Sequence, residues 1–270
     1  MLRAVLIFLV FPVIVFADTH YAKLEPLQSI TIRSEVNGKV VEAKSALEGK
    51  IVDGLIVKID DKIDKIDLEN SKNSLVLLDK MIKVNKNTLP LLKKSFEKKR
   101  NLYLKVAPLS SSSVSTKDTL YSAFVSAKSQ YSGVLEKILN LKNQKVSLKQ
   151  KIALLKDRVA KKSVVIKGKY LYALNVKSGE YVNIGAPIAT LQDISKAKLT
   201  IYLSEDELKD IESKKIYIDG KQSDLKFSKI WRVADSKYIS SYKAEIILKP
   251  FARFSKLIKV DIKWYKQHVH

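Results

Sequence analysis

Residues 65–162 read KIDLENSKNSLVLLDKMIKVNKNTLPLLKKSFEKKRNLYLKVAPLSSSSVSTKDTLYSAFVSAKSQYSGVLEKILNLKNQKVSLKQKIALLKDRVAKK. From Leu68, seven-residue steps pass through Leu75, Ile82, Leu89, Phe96 and Tyr103, and the positions three further on are Ser71, Leu78, Asn85, Leu92, Lys99 and Val106. In the second half the same steps pass through Leu120, Ala127, Val134, Leu141, Leu148 and Leu155. Their companions four further on are Phe124, Tyr131, Ile138, Lys145, Ile152 and Val159. Most of these positions are apolar while Lys, Gln, Asn and Ser fill the rest, which is the 3.5-residue period of a coiled coil. Pro108 and the serines from Ser110 to Ser113 separate the halves, because proline stops one helix and a serine run does not continue it. The pattern predicts an antiparallel helical hairpin with arms of about 60 Å at ~1.5 Å per residue. Residues equidistant from about position 112 then face each other, which sets Lys145 level with Asp79 and predicts an ion pair. Pro90 lies off the seam and is expected to kink the first arm near Asn87.

Working outward, the flanking segments repeat each other. Before the hairpin, Ser29 to Ala43 alternates β-branched and polar residues around Asn37-Gly38, and Glu48 to Asp60 places Gly49 and Gly54 about a short Ile-Val strand. After it, Ser178 to Leu191 places Gly179 and Gly185 about a strand centred on Val182. Gly49 matches Gly179, Val52 matches Val182, and Gly54 matches Gly185 with one extra residue. Glycine at these points suits turns that need positive φ and predicts where each strand reverses. His20 to Glu25 reads as a short edge strand ended by Pro26. Towards the C-terminus, Leu199 to Leu203 is a strand and Ser204 with Glu207 is a capping box opening a short helix. Asp219-Gly220 is a hairpin signal, and Leu225 to Val233, Tyr242 to Leu248 and Leu257 to Trp264 alternate, arguing for a small barrel or sandwich.

The ends and the composition set the destination. Arg3, the apolar run Ala4 to Phe16 and the small-residue pattern Val15-Phe16-Ala17 predict a cleaved secretory signal over residues 1–17. There is no cysteine, so disulfides, thiol chemistry and cysteine lipidation are excluded. The formal charge of +22 comes overwhelmingly from lysine. Lysine spread over solvated helix faces argues against nucleic-acid recognition, which favours the arginine fork. A secreted basic coiled-coil protein that binds polyanions or another envelope protein is the alternative reading.

A β-module cut in two by a helical hairpin resembles the periplasmic adaptor subunits, or membrane fusion proteins, of tripartite efflux systems (the HlyD-like family). The run Leu191 to Glu205 resembles the family's exit from its sandwich into its barrel. The resemblance implies an α+β multidomain chain, in which a lipoyl-like β-sandwich is split by a long antiparallel α-helical hairpin and followed by a small β-barrel domain. The implied boundaries are 18–28 for an N-terminal barrel-associated strand and 29–62 for the first lipoyl-like half. The hairpin then takes 63–162 with its tip at 108–116, the second half 163–195, the barrel 196–265 and a tail 266–270. The expected place is the periplasm, at the inner membrane through a pump. The implied partners are an inner-membrane transporter of resistance-nodulation-division (RND) or ATP-binding cassette (ABC) type, a TolC-like outer-membrane channel, and further copies in a ring of six. Nucleic acid is not among them.

By the same resemblance the hairpin tip docks the channel, through an Arg, a Leu about four later, and a Ser opening the second helix. Arg100, Leu104 and Ser115 match in kind and order, with a longer Arg-to-Ser spacing than the family shows. Ser115 also suits the N-cap of the second helix, with Asp118 as its partner. No chemistry is expected. His20, His268 and His270 lack a second ligand at metal spacing, and Met81 is the only methionine after Met1. A lipoyl carrier would need a modifiable lysine near Lys62, where the helical insertion sits. Asp60, Asp61, Asp64 and Asp67 suit the positive end of a helix rather than catalysis. The reading is non-enzymatic, with no catalytic, cofactor or metal site.

Overall fold

The computed structural model describes residues 18–250 and 253–264. The expected signal segment 1–17, the tail and His268 and His270 lie outside the described residues.

Two long helices, α1 (Lys62–Val106) and α2 (Val114–Lys161), pack against each other along their length. Every seam position named above is buried or half-buried except Lys99. Leu78, Ile82 and Leu141 form a small core with Leu148 against it. Towards the tip aromatic rings take over: Phe96 stacks on Phe124 at 5.7 Å and on Tyr131 at 5.9 Å, and Tyr103 stacks on Phe124 at 6.1 Å. Such pairs add specificity of register beyond their buried area. Lys145 and Asp79 form the expected ion pair across the hairpin. α1 runs unbroken through Pro90, which is exposed. α2 is capped by Ser113, whose Oγ accepts the Thr116 N–H at 3.2 Å. Ser115 therefore does not cap α2 but sits in its first turn. Ser113 takes the role because its extended backbone can turn its side chain back onto the helix start.

The hairpin leaves a β-module built from β2 (Gly38–Ala43), β3 (Lys50–Ile59), β4 (Ser163–Leu174) and β5 (Tyr181–Val182), with parts of two longer strands. β3 leads into α1 and β4 leaves α2. The two are antiparallel neighbours, with Val57 opposite Val164 and Lys58 opposite Ser163, so both cut ends meet in one sheet. One core joins them: Val40, Val52, Ile56 and Ile59 from before the hairpin pack with Ile166, Leu171, Val182 and Ile188 from after it.

A second module gathers around Leu24, Leu199, Ile201, Ile246, Val260 and Ile262. It contains α3 (Glu205–Leu208), β7 (Lys214–Ile218), β8 (Lys221–Ser223), β9 (Phe227–Ile230), β10 (Tyr242–Leu248) and β11 (Leu257–Trp264). The modules are joined by strands, not by a linker. β1 (Asp18–Arg33) and β6 (Pro187–Leu203) run antiparallel through both, with Ile30 opposite Leu191 in one module and Leu24 opposite Leu199 in the other. The boundaries expected at 28/29 and 195/196 thus fall inside strands.

The strand expected to end at Pro26 is longer than its sequence suggests. β1 runs on through Pro26 to Arg33, pairing β11 from Asp18 to Lys23 and β6 from Leu24 onward. Pro26 is tolerated because the ladder shifts register between Pro26 and Gln28, where a missing N–H costs little. Gly54 likewise does not reverse a strand. It lies within β3 at a register shift with φ +132°, a bulge that bends the strand.

Candidate functional site: the hairpin and its two ends

The glycines of the repeat tie the halves together. Gly49 N–H donates to Leu171 O, Gly179 N–H to Val40 O, and Gly185 N–H to Ser34 O, each at 2.8 Å. Each bond crosses from one half of the module to the other. Gly38 serves close approach, since a Cβ there would stand 2.6 Å from Ile59 Cγ2.

Where the hairpin leaves the module, a charged clamp fixes it. Asp61 and Asp64, at the start of α1, are buried. Asp61 pairs with Lys58 and with Lys65 at 3.1 Å. Asp64 pairs with Lys162 and accepts from Arg158 Nη1 at 3.4 Å. Lys162 Nζ also donates to Asp60 O at 2.6 Å, and Lys58 Nζ to Ser163 Oγ at 2.7 Å, so one network links β3, α1, α2 and β4. Burial by itself would raise both carboxyls. The bonds from Lys58 and Lys65 to Asp61, and from Lys162 and Arg158 to Asp64, outweigh it and hold both below the ordinary value of 3.8. Groups depressed in this way stabilise the folded state fully above their unfolded values and lose that contribution as pH falls through the folded ones. The hairpin base should therefore hold constant stability from neutral pH to about 4 and weaken below it. Melting followed by circular dichroism at pH 7 and pH 3 measures this, and equal melting at both would refute it.

Sequence reading gave these acids only to the helix terminus. The mirror symmetry about residue 112 that paired Lys145 with Asp79 would also have brought Lys162 to the start of α1.

The tip is the loop 107–113 with the adjoining helix ends. Arg100 and Leu104 are exposed and lie four residues apart on one face of α1. Ser115 is exposed on α2, where it lines a shallow depression with Val114, Asp118, Thr119 and Ser122. Neither Arg100 nor Leu104 reaches that depression. Leu102, Leu109 and Val114 add exposed apolar surface at this end, 75% of Val114 being accessible.

The two broad faces of the hairpin differ, which the first seam alone did not reveal. On α1 a second stripe, Ser74, Leu77, Met81, Val84, Thr88 and Leu91, repeats at steps of three and four and is exposed throughout. No charged residue interrupts it in a helix crowded with lysines. It borders a groove whose other wall is Asn143, Gln144, Ser147, Leu148 and Lys151 of α2. The Asp79–Lys145 pair marks the opposite side, where Lys65, Lys72, Lys86, Lys93 and Arg100 follow the same seven-residue spacing as Asp79. A helical hairpin with a lysine-rich side and, on α1, an uncharged stripe presents two different surfaces to its surroundings.

Among the described residues no group of three or more His, Cys, Asp or Glu is placed to hold a metal ion, and no helix is long and apolar enough to cross a membrane. His20 bonds Glu207 at 2.5 Å, joining β1 to the α3 capping box.

Neither a protein-family model nor a curated protein matches the sequence. Solved structures do match. MacA from Actinobacillus actinomycetemcomitans aligns at 18% identity over 93% of this chain and 79% of its own, with a TM-score of 0.64. A MacA–MexA chimera carrying the Pseudomonas aeruginosa MexA α-hairpin domain aligns at 13% identity, over 93% of this chain and 82% of its own, with a TM-score of 0.58. The membrane fusion protein Spr0693 from Streptococcus pneumoniae R6 aligns at 9% identity, over 93% of this chain and 99% of its own, with a TM-score of 0.54. At these identities the likeness is one of architecture: a β-module interrupted by a helical hairpin and continued into a second β-module by shared strands. The chain has the fold of a membrane fusion protein.

Proposed function

We propose that the protein is a periplasmic adaptor that links an inner-membrane transporter of RND or ABC type to a TolC-like outer-membrane channel in efflux. The transporter supplies the energy, and the adaptor couples and seals without bond chemistry. The hairpin-bearing module is then the lipoyl-like sandwich and the second module the barrel, with tip residues Arg100, Leu104 and Ser115 facing the channel. The observation that carries this reading is a rod of two helices, α1 and α2, rooted by the Asp61–Asp64 clamp and ending in an exposed apolar and basic tip. A stiff arm held at one end only is suited to reaching a partner at the other.

Adaptor copies would assemble in a ring of six, and the neutral stripe on α1 supports contact between them. Two lysine-rich rods repel unless their lysine faces turn apart, and the stripe through Leu77, Val84 and Leu91 allows approach with the fewest charges between.

Deleting the gene in its host should sensitise cells to exported compounds, and the wild-type gene should restore resistance. Leu104→Asp and Arg100→Asp should each fail to restore it while their melting curves stay within ~1 °C of wild type, since both residues are exposed. Full restoration by both variants would overturn tip docking.

A further inference from the structure

The two most exposed large apolar side chains among the described residues lie on one short loop, far from the hairpin in sequence. Val233 is 78% and Ile239 86% accessible, on the connection between β9 and β10. The loop is ordered by its own bonds. Asp235 N–H donates to Ser241 O at 2.8 Å, and Asp235 Oδ1 accepts the N–H groups of Lys237 and Tyr238 at 2.8 and 3.1 Å. Aromatic rings and cations flank it. The Nζ atoms of Lys229 and Lys243 lie 4.2 and 4.6 Å from the Trp231 ring centre, Lys237 sits over Tyr238, and the rings of Tyr238 and Tyr202 are 4.2 Å apart. Exposed Arg232 adds a further charge. The acid within the loop, Asp235, is turned inward onto its own backbone. The outward surface is therefore apolar tips in a cationic and aromatic collar, the composition of a segment that rests in the headgroup layer of a bilayer.

Its position agrees. Leu24 of β1 lies opposite Leu199 of β6, and Leu203 of β6 opposite Tyr242 of β10, so the loop before Tyr242 projects from the end where β1 begins. Tyr238 and Tyr202 share one cleft with His20 and Tyr21. Asp18, the first residue of β1, lies at that same end. The loop and the start of β1 thus share one end of the second module.

We propose that the 231–241 loop is a peripheral docking surface for an anionic phospholipid membrane, with Val233 and Ile239 entering the headgroup layer and Arg232, Lys237 and Lys229 meeting lipid phosphates. The proposal needs no transporter or channel, so its outcome and that of the bridging role are separable. Because the chain lacks cysteine, Ile239→Cys in the full chain gives one attachment point for an environment-sensitive fluorophore, and Ser132→Cys on the exposed part of α2 gives a control.

With vesicles of phosphatidylethanolamine and phosphatidylglycerol, the label at 239 should brighten and shift to the blue while the label at 132 stays unchanged. Phosphatidylcholine vesicles should give little response at either site. Arg232→Glu with Lys237→Glu should weaken the response roughly twenty-five-fold or more, at about fivefold for each cation lost. A label at 239 that stays in water while the chain sediments with vesicles would overturn the proposal, because the N-terminal run would then account for all binding. So would an equal response to neutral vesicles, or no response, which would leave the loop to a protein partner.

Discussion

Asp64→Ala should lower the melting temperature more than any other single change at the hairpin base. The carboxylate is buried at the start of α1 and holds Lys162 and Arg158, which both belong to the end of α2 or the residue after it. Removing it leaves the Lys162 ammonium, itself only 12% accessible, without its carboxylate partner in a poorly hydrated site. Breaking one half of a buried pair typically costs 3–5 kcal/mol. Arg158 is more than half exposed and recovers water, so the low end, about 3 kcal/mol, is the expected loss. In a chain of this size that is a fall of roughly 6–12 °C.

Two companion variants show that the effect belongs to the clamp. Lys145→Ala removes a pair whose members are 30% and 48% accessible, and exposed pairs are worth about 0–1 kcal/mol. Asp64→Asn keeps the shape and loses the charge, and should fall between alanine and wild type. The difference between Asp64→Ala and wild type should shrink below about pH 4, because a carboxyl held below its unfolded value by Lys162 and Arg158 loses its stabilising contribution as acid protonates the unfolded chain first. An Asp64→Ala melt within ~1 °C of wild type at pH 7 would show that the clamp contributes nothing to the rooting of the rod.

Leu77→Asp combined with Val84→Asp should disperse any self-association of the protein while leaving the monomer folded. Both side chains are exposed, at 60% and 63%, and neither belongs to the buried core of the seam. Burying each against a neighbouring copy is worth on the order of 1–2 kcal/mol, and the substitution also forces a carboxylate into that contact. Together the changes should weaken association by roughly a thousandfold or more, read as a shift to monomer in sedimentation velocity. The contrast is Leu78→Asp, one residue away but buried in the seam, which should unfold the hairpin itself. An unchanged oligomer in the double variant would move the contact to another face. A monomeric wild-type chain at high concentration would remove self-association through this stripe.

The comparison of Leu77 with Leu78 shows how far sequence reading reaches. Period 3.5 located the seam because each heptad reports on itself, and nothing beyond a few turns of helix is needed to see it. The second stripe was present in the same letters, but its meaning depended on knowing which side of α1 faced α2. The Asp79–Lys145 pair settles that side. The tip residues show the opposite limit. Sequence order put Arg100, Leu104 and Ser115 together, while the helices set Ser115 in a depression of its own and gave the cap to Ser113. A serine run offers several equivalent caps, and only the exit angle of the loop selects one.

By itself the sequence determined the hairpin, its antiparallel pairing, the repeat on either side of it and the turn at Asp219-Gly220. All of these are written in local periodicity or in residues with restricted backbones. Only the tertiary structure decided that β1 passes through Pro26 and β6 through Ser195 to bind two modules into one body, since strand continuity depends on partners more than 160 residues away. It also decided that Asp64 is a buried ion-pair partner rather than a helix-end charge, and that the 231–241 loop shares an end with Asp18. Burial and proximity between distant segments are properties of the packed chain, and no window of neighbouring residues contains them.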